Sequence, residues 1–224
     1  MRDADNIRAV SSLGIDMMGF IFYQKSPRFV AQISSNAGVI PDFTVSSLIK
    51  DKGQSPEGYD PKNIKRVGVF VDEMPQSIIT RVYNFDLDYV QLHGNETPIL
   101  IDNLRATIDP DIRKGVKFIK TISISSADDI KKCEEYEGHA DMFLFDTKCD
   151  TKGGSGEKFD WSILQAYKGN TPFILSGGIA PDDVERIKNF SHPQFVGIDL
   201  NSNFEIEPAV KDVEKLKDFI TKIR

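Results

Sequence analysis

Several short stretches of this sequence combine residue types that could bind and rearrange a small phosphorylated molecule. Asp146 closes the apolar run Met142 to Phe145, where loss of water would favour the protonated form and let it act as a general acid near neutrality. The plainer reading has the same carboxylate capping a helix or pairing with Lys148. Further on come the turns Gly153-Gly154-Ser155-Gly156, Ser176-Gly177-Gly178 and Asp199-Leu200-Asn201-Ser202. Backbone N–H groups freed by such turns, together with a helix N-terminus, hold phosphate without a buried lysine. One glycine alone is explained by a tight turn; three such turns behind successive apolar runs favour an anion site. Arg28, in Gln24-Lys25-Ser26-Pro27-Arg28, could present a two-pronged fork to a carboxylate, or be simply solvated. His93, just before Gly94, could donate a hydrogen bond to a substrate or be satisfied by the backbone.

These residues share a position: each follows a short run of β-branched and aromatic residues. The runs are Met17 to Tyr23, Val67 to Val71, Tyr89 to Leu92, Phe118 to Ile122, Met142 to Phe145, Phe173 to Leu175 and Phe195 to Leu200. Most are nearly continuous in apolar residues rather than alternating, as in a parallel sheet covered on both faces. Helix signals lie between them. Asp3 or Asp5 can cap a helix through Ile7, Val10 and Leu13; Ser126-Ala127-Asp128-Asp129 and Pro181-Asp182-Asp183 open two more. The stripe Val213, Leu216, Phe219, Ile220 and Ile223 predicts a last helix over 210–223. The spacing suits one strand and one helix per unit except between 22 and 71, where residues 31–64 read as a helix followed by a mobile excursion. The expectation is one domain over 1–224, an α/β fold that is either an open doubly wound sheet or a closed (β/α)8 TIM barrel.

Composition narrows the function. The 224 residues carry a net charge of −6, with 40% hydrophobic and 28% charged residues, which suits a globular chain with a sizeable core. The acidic balance argues against nucleic-acid and anionic-membrane partners. No apolar run is long enough to span a bilayer, and Met1-Arg2-Asp3-Ala4-Asp5-Asn6 does not resemble a signal peptide, so the expected compartment is cytoplasmic. The two cysteines, Cys133 and Cys149, read as free thiols with no metal-binding spacing.

An ordered set of motifs adds a resemblance. Gly19-Phe20-Ile21-Phe22-Tyr23-Gln24-Lys25-Ser26-Pro27-Arg28, Val67-Gly68-Val69-Phe70-Val71, Val90-Gln91-Leu92-His93-Gly94, Asp146-Thr147-Lys148 with Gly153-Gly154-Ser155-Gly156 and Phe159-Asp160-Trp161, and Leu175-Ser176-Gly177-Gly178 together resemble the phosphoribosylanthranilate isomerases of tryptophan synthesis. The resemblance runs from Met1 to about Glu205. It implies a (β/α)8 barrel that performs an Amadori rearrangement of N-(5′-phosphoribosyl)anthranilate to 1-(2-carboxyphenylamino)-1-deoxyribulose 5-phosphate, without metal or cofactor. It casts Asp146 as the acid that protonates the ribose ring oxygen and Arg28 as the holder of the anthranilate carboxylate. Gly154, Ser155, Gly156, Gly177, Gly178 and the turn of Asp199, Asn201 and Ser202 would then hold the phosphate.

Two departures stand out. Family members begin with a strand ending in Cys-Gly-Met, whose Cys is the general base; this sequence resembles the family from that Met onward. The first strand and the base are therefore expected to lie outside this chain, leaving a gap between Met17 to Tyr23 and Phe195 to Leu200 and slow turnover in the 224 residues themselves. A neighbouring chain closing that seam would make a homo-oligomer. The alternative is a non-catalytic barrel that binds a phosphorylated ligand. Second, Asn201-Ser202-Asn203 stands where the family has Ser-Ser-Gly.

Overall fold

The computed structural model describes residues 1–31, 64–147 and 159–224. The expected helix and excursion therefore lie almost wholly outside the described residues, as do Lys148, Cys149 and the turn Gly153 to Gly156.

Seven strands form one parallel sheet in sequence order: β1 Met17–Ile21, β2 Lys65–Phe70, β3 Tyr89–Leu92, β4 Lys117–Ile124, β5 Met142–Thr147, β6 Phe173–Ser176 and β7 Phe195–Ile198. Every expected run is a strand. Sequential order with every pair parallel is barrel topology, since a doubly wound sheet reverses its order at a switch point. Side chains alternate across it. Met18, Phe20, Phe70, Phe118, Phe143, Phe145 and Phe173 join the main core under the helices, while Val67, Ile119 and Leu144 form a separate small cluster on the inner face.

The helices start where their caps dictate. α1 Ala4–Ser11 begins behind Asp3, whose carboxylate accepts from Asn6 N. α2 Pro75–Phe85 and α3 Pro98–Ile108 open on prolines, which fit the first helical turn. The segment behind Ser126 is a 3-10 helix, Ala127–Glu135, opened by a capping box with Asp129. Pro181–Asp183 is a 3-10 turn leading into α4 Val184–Asn189. The last helix is shorter than expected: α5 spans Val213–Ile223 because Asp212 caps it by accepting from Lys215 N. Val210–Lys211 is instead β9, paired with β8 Glu205–Glu207 in a small antiparallel ribbon.

Among the described residues β1 and β7 are the two edges of the sheet, and they do not pair with each other. The expected gap is there. Asn6 and Lys211 exchange two hydrogen bonds, Asn6 Nδ2 donating to Lys211 O at 2.8 Å and Lys211 N to Asn6 Oδ1 at 2.7 Å. The Met1 α-amine donates to Gly19 O on the open edge of β1 at 2.7 Å.

Candidate active site at the carboxyl rim

The pleat places the site. One step beyond the inner cluster, the same inner face carries Thr121 after Ile119, Asp146 after Leu144 and Ser176 after Ile174. Gln91 joins them, its side-chain amide donating to Thr121 Oγ1 at 3.1 Å and lying 3.3 Å from Nδ1 of His93. With Nδ1 accepting from that amide, the ring proton sits on Nε2, which is 3.7 Å from Asp146 Oδ2. His93 is thus aimed at the carboxylate, and its backbone N–H separately donates to Phe70 O. Asp146 is mostly buried, its side chain 16% exposed. In strand register it lies between Ser123 and Ser176, and Ser176 Oγ donates to Asp199 Oδ2 at 2.9 Å.

The turn after β6 is built for close backbone approach. Gly177 and Gly178 have φ of +91° and +68°, and a Cβ on Gly177 would lie 2.1 Å from Thr147 O. Thr147 Oγ1 donates to Ser176 O at 2.8 Å, fastening the turn to the end of β5. Across from it, the turn after β7 leads through Asn201 into the 3-10 turn Ser202–Phe204. The structure thus brings His93, Asp146, Gly177, Gly178, Asp199, Asn201 and Ser202 to one rim, while Gly154, Ser155 and Gly156 fall outside the described residues.

Arg28 also lies on this rim but not as an idle fork. Its Nε donates to both oxygens of Glu205 at 2.9 Å, and Nη2 to Oε2 at 2.5 Å. Glu205 gave no sequence signal, being 177 residues away from its partner. It also approaches Lys211 Nζ at 3.4 Å, and Lys211 donates to Leu200 O, Asn201 O and Asn201 Oδ1. Burial alone would raise the pKa of Glu205; the Arg28 hydrogen bonds and the Lys211 and Arg28 charges outweigh it and leave the value below the usual range. Lys211 is lowered, chiefly by burial.

Removing Glu205 would strand two cations. Glu205→Ala is expected to cost roughly 3 kcal/mol, the low end for breaking a buried pair, because Arg28 keeps 22% of its side-chain exposure. Urea unfolding measures it, and a loss below about 1 kcal/mol would mean that the network is solvated like a surface pair. The stabilisation has a pH signature. With the folded pKa depressed, it is present above the unfolded carboxylate value of about 4.3 and fades as pH falls through the lower folded value.

Sequence reading also passed over a second ion pair, Lys120 with Glu96, whose side chains are 3% and 1% exposed. Lys120 Nζ donates to Leu92 O, Gly94 O and Glu96 Oε2, while Glu96 accepts from Asp72 N and Gly94 N. The pair fixes the turn that carries His93. A lysine inside the apolar run Phe118 to Ile122 was the available signal.

Cys133 is no part of the rim. It is buried on the 3-10 helix behind β4, and burial pushes its thiol up to about 12. In a Cys149→Ser background, a disulfide reagent at pH 8 is expected to modify no thiol until denaturant is added. Rapid native labelling would refute this burial.

Residues 40–222 match the family model for N-(5'phosphoribosyl)anthranilate (PRA) isomerase. The N-(5'-phosphoribosyl)anthranilate isomerase of Parabacteroides distasonis is 46% identical over all of this chain and 90% of its own length; that of Phocaeicola vulgatus is 41% identical over all of this chain and 95% of its own. The crystal structure of the Thermotoga maritima enzyme superposes with a TM-score of 0.76 at 28% identity, over 100% of this chain and 95% of that one. A phosphoribosyl anthranilate isomerase in complex with reduced 1-(o-carboxyphenylamino)-1-deoxyribulose 5-phosphate gives 0.72 at 25% identity, over 100% of this chain and 94% of that one. With most of its length matched, and an acid, a histidine and two anion-suited turns gathered on one barrel rim, the chain belongs to the phosphoribosylanthranilate isomerase family.

Proposed function

We propose that the rim around Asp146 binds N-(5′-phosphoribosyl)anthranilate and takes part in its Amadori rearrangement, the isomerisation used in tryptophan synthesis. The observation that carries this is the placement of Asp146, nearly buried on the inner face, with the His93 ring on one side and the glycine turn after β6 on the other. The phosphate would sit on the amides of the turns after β6 and β7. That leaves the ribose ring over Asp146 and the anthranilate carboxylate towards Arg28, whose Nε–Nη2 edge Glu205 already holds in orientation.

In this arrangement Asp146 gives a proton to the ring oxygen, the bond from that oxygen to C1′ breaks, and the nitrogen lone pair, with its N–H retained, completes an iminium. A base then takes the C2′ proton, and the resulting enolamine tautomerises to the ketose. No atoms are gained or lost.

No helix among the described residues is long and apolar enough to cross a membrane. Among the described residues β1 and β7 are the edges of the sheet, and association between copies through that seam is part of the proposal. Loss of phosphoribosylanthranilate fluorescence, followed in parallel with calorimetric binding of the reduced product analogue, tests the reading. Binding together with turnover fits it, and a folded chain that shows neither excludes it.

A further inference from the structure

Asn203 does more than stand in for a glycine. Its side-chain Nδ2 donates to Gly178 O at 3.1 Å and to Ile179 O at 3.0 Å, crossing from the turn after β7 to the turn after β6. We propose that Asn203 is a positioning residue that locks these two turns into a single phosphate cradle. The inference rests on the reading of this rim as the phosphate site.

The argument starts from the peptide unit. A trans peptide carries its N–H opposite its C=O, so holding the carbonyls of Gly178 and Ile179 fixes the directions of the N–H groups of Ile179 and Ala180. The Ala180 N–H is consumed locally, donating to Asp183 Oδ2 at 2.8 Å. The Ile179 N–H is left pointing away from Asn203, with its orientation set by the carbonyl of a glycine at φ +68°. A glycine pair with both φ values positive is flexible by itself; Thr147 Oγ1 holds the carbonyls of Ser176 and Gly177, and the amide of Asn203 holds those of Gly178 and Ile179.

The other half of the cradle is held in the same way. Lys211 Nζ takes the carbonyls of Leu200 and Asn201 at 3.1 Å each, which turns the N–H groups of Asn201 and Ser202 to the opposite side. Lys215 Nζ, 3.4 Å from Asn203 O, pins the backbone of Asn203 itself. Each turn is thus anchored by its carbonyls, and Asn203 joins the two at their tips, as the Ser176–Asp199 hydrogen bond joins them at the strand ends. Its position on the exposed surface limits its worth to overall stability, so the consequence should fall on anion affinity.

Two variants separate the roles. Asn203→Asp keeps the shape but offers carboxylate oxygens to two carbonyls; Asn203→Ala removes the group. Inorganic phosphate and the reduced product analogue are titrated calorimetrically into the wild-type chain and both variants, alongside thermal melting and steady-state kinetics. The expected result is roughly tenfold weaker phosphate binding in both, the worth of one or two modest hydrogen bonds, with KM raised, kcat kept and the melting point little changed. Affinity equal to wild type in both variants overturns the inference. So does a fall in melting point that accounts for the lost binding, since that assigns Asn203 a structural role. A wild-type chain that binds neither probe would instead remove the phosphate reading on which the inference rests.

Discussion

Extending the chain ahead of Met1 by a strand that ends in Cys-Gly is expected to raise kcat/KM for phosphoribosylanthranilate by about 10²- to 10⁴-fold, the usual worth of one positioned acid–base group. The geometry of the seam supplies the reason. Among the described residues β1 and β7 do not pair with each other, and on the free side of β1 the Met1 amine donates to Gly19 O and Val30 N to Ile21 O, so chain added ahead of Met1 runs on beside β1. The same amine lies close enough to Lys211, Glu205 and Asp199 to feel all three charges. A cysteine two residues earlier would therefore arrive at the rim, across from Asp146, where the Lys211 cation would help stabilise a thiolate. Closing the seam also satisfies the open ladders, so light scattering should show any self-association of the 224-residue chain diminish in the extended one. Equal rates in the two chains would place the base elsewhere. Activity that disappears from the shorter chain on Cys149→Ser would place it on that cysteine.

The strands were legible because a parallel strand covered on both faces must be nearly all apolar, and each run from Met17 to Ile198 became a strand. The rim residues were legible for a related reason. A carboxylate or a glycine pair directly behind such a run falls on the barrel rim whatever the helices do. What escaped was the set of groups whose meaning lies in partners far along the chain. Glu205 is unremarkable until Arg28 folds against it, and Lys211 reads as part of the final helix until Asp212 caps that helix and leaves Lys211 buried beneath Asn201. Gln91 and Lys120 lay within easy reach. Each is a polar residue inside an apolar strand, and such a residue needs a partner: Thr121 and His93 for one, Glu96 for the other. Asn203 was noticed only as standing where the family has a glycine, whereas the structure uses its side chain.

Within the strand-extended protein, Asp146→Asn is expected to lower kcat by about 10²- to 10⁴-fold, or roughly 3 to 5 kcal/mol of transition-state stabilisation, while the affinity for the reduced product analogue stays within a few-fold. Asparagine matches the shape of the carboxyl group, so the neighbours in register, Ser123 and Ser176, keep their places. In the proposed arrangement the binding contacts lie elsewhere, on the turns after β6 and β7 and at Arg28, so ground-state binding has no reason to weaken. What disappears is the transferable proton, and with it the step that opens the ribose ring. A loss confined to kcat and kcat/KM is the mark of an interaction made only in the transition state. His93 sharpens the test, since its Nε2 lies 3.7 Å from the Asp146 carboxylate. If His93 were itself the acid, His93→Gln would reproduce the full loss and Asp146→Asn would leave a substantial rate. If Asp146 is the acid, His93→Gln should be the milder change, acting through the orientation of the carboxylate. An Asp146→Asn enzyme that keeps more than about a tenth of its kcat would overturn the assignment of Asp146 as the proton donor.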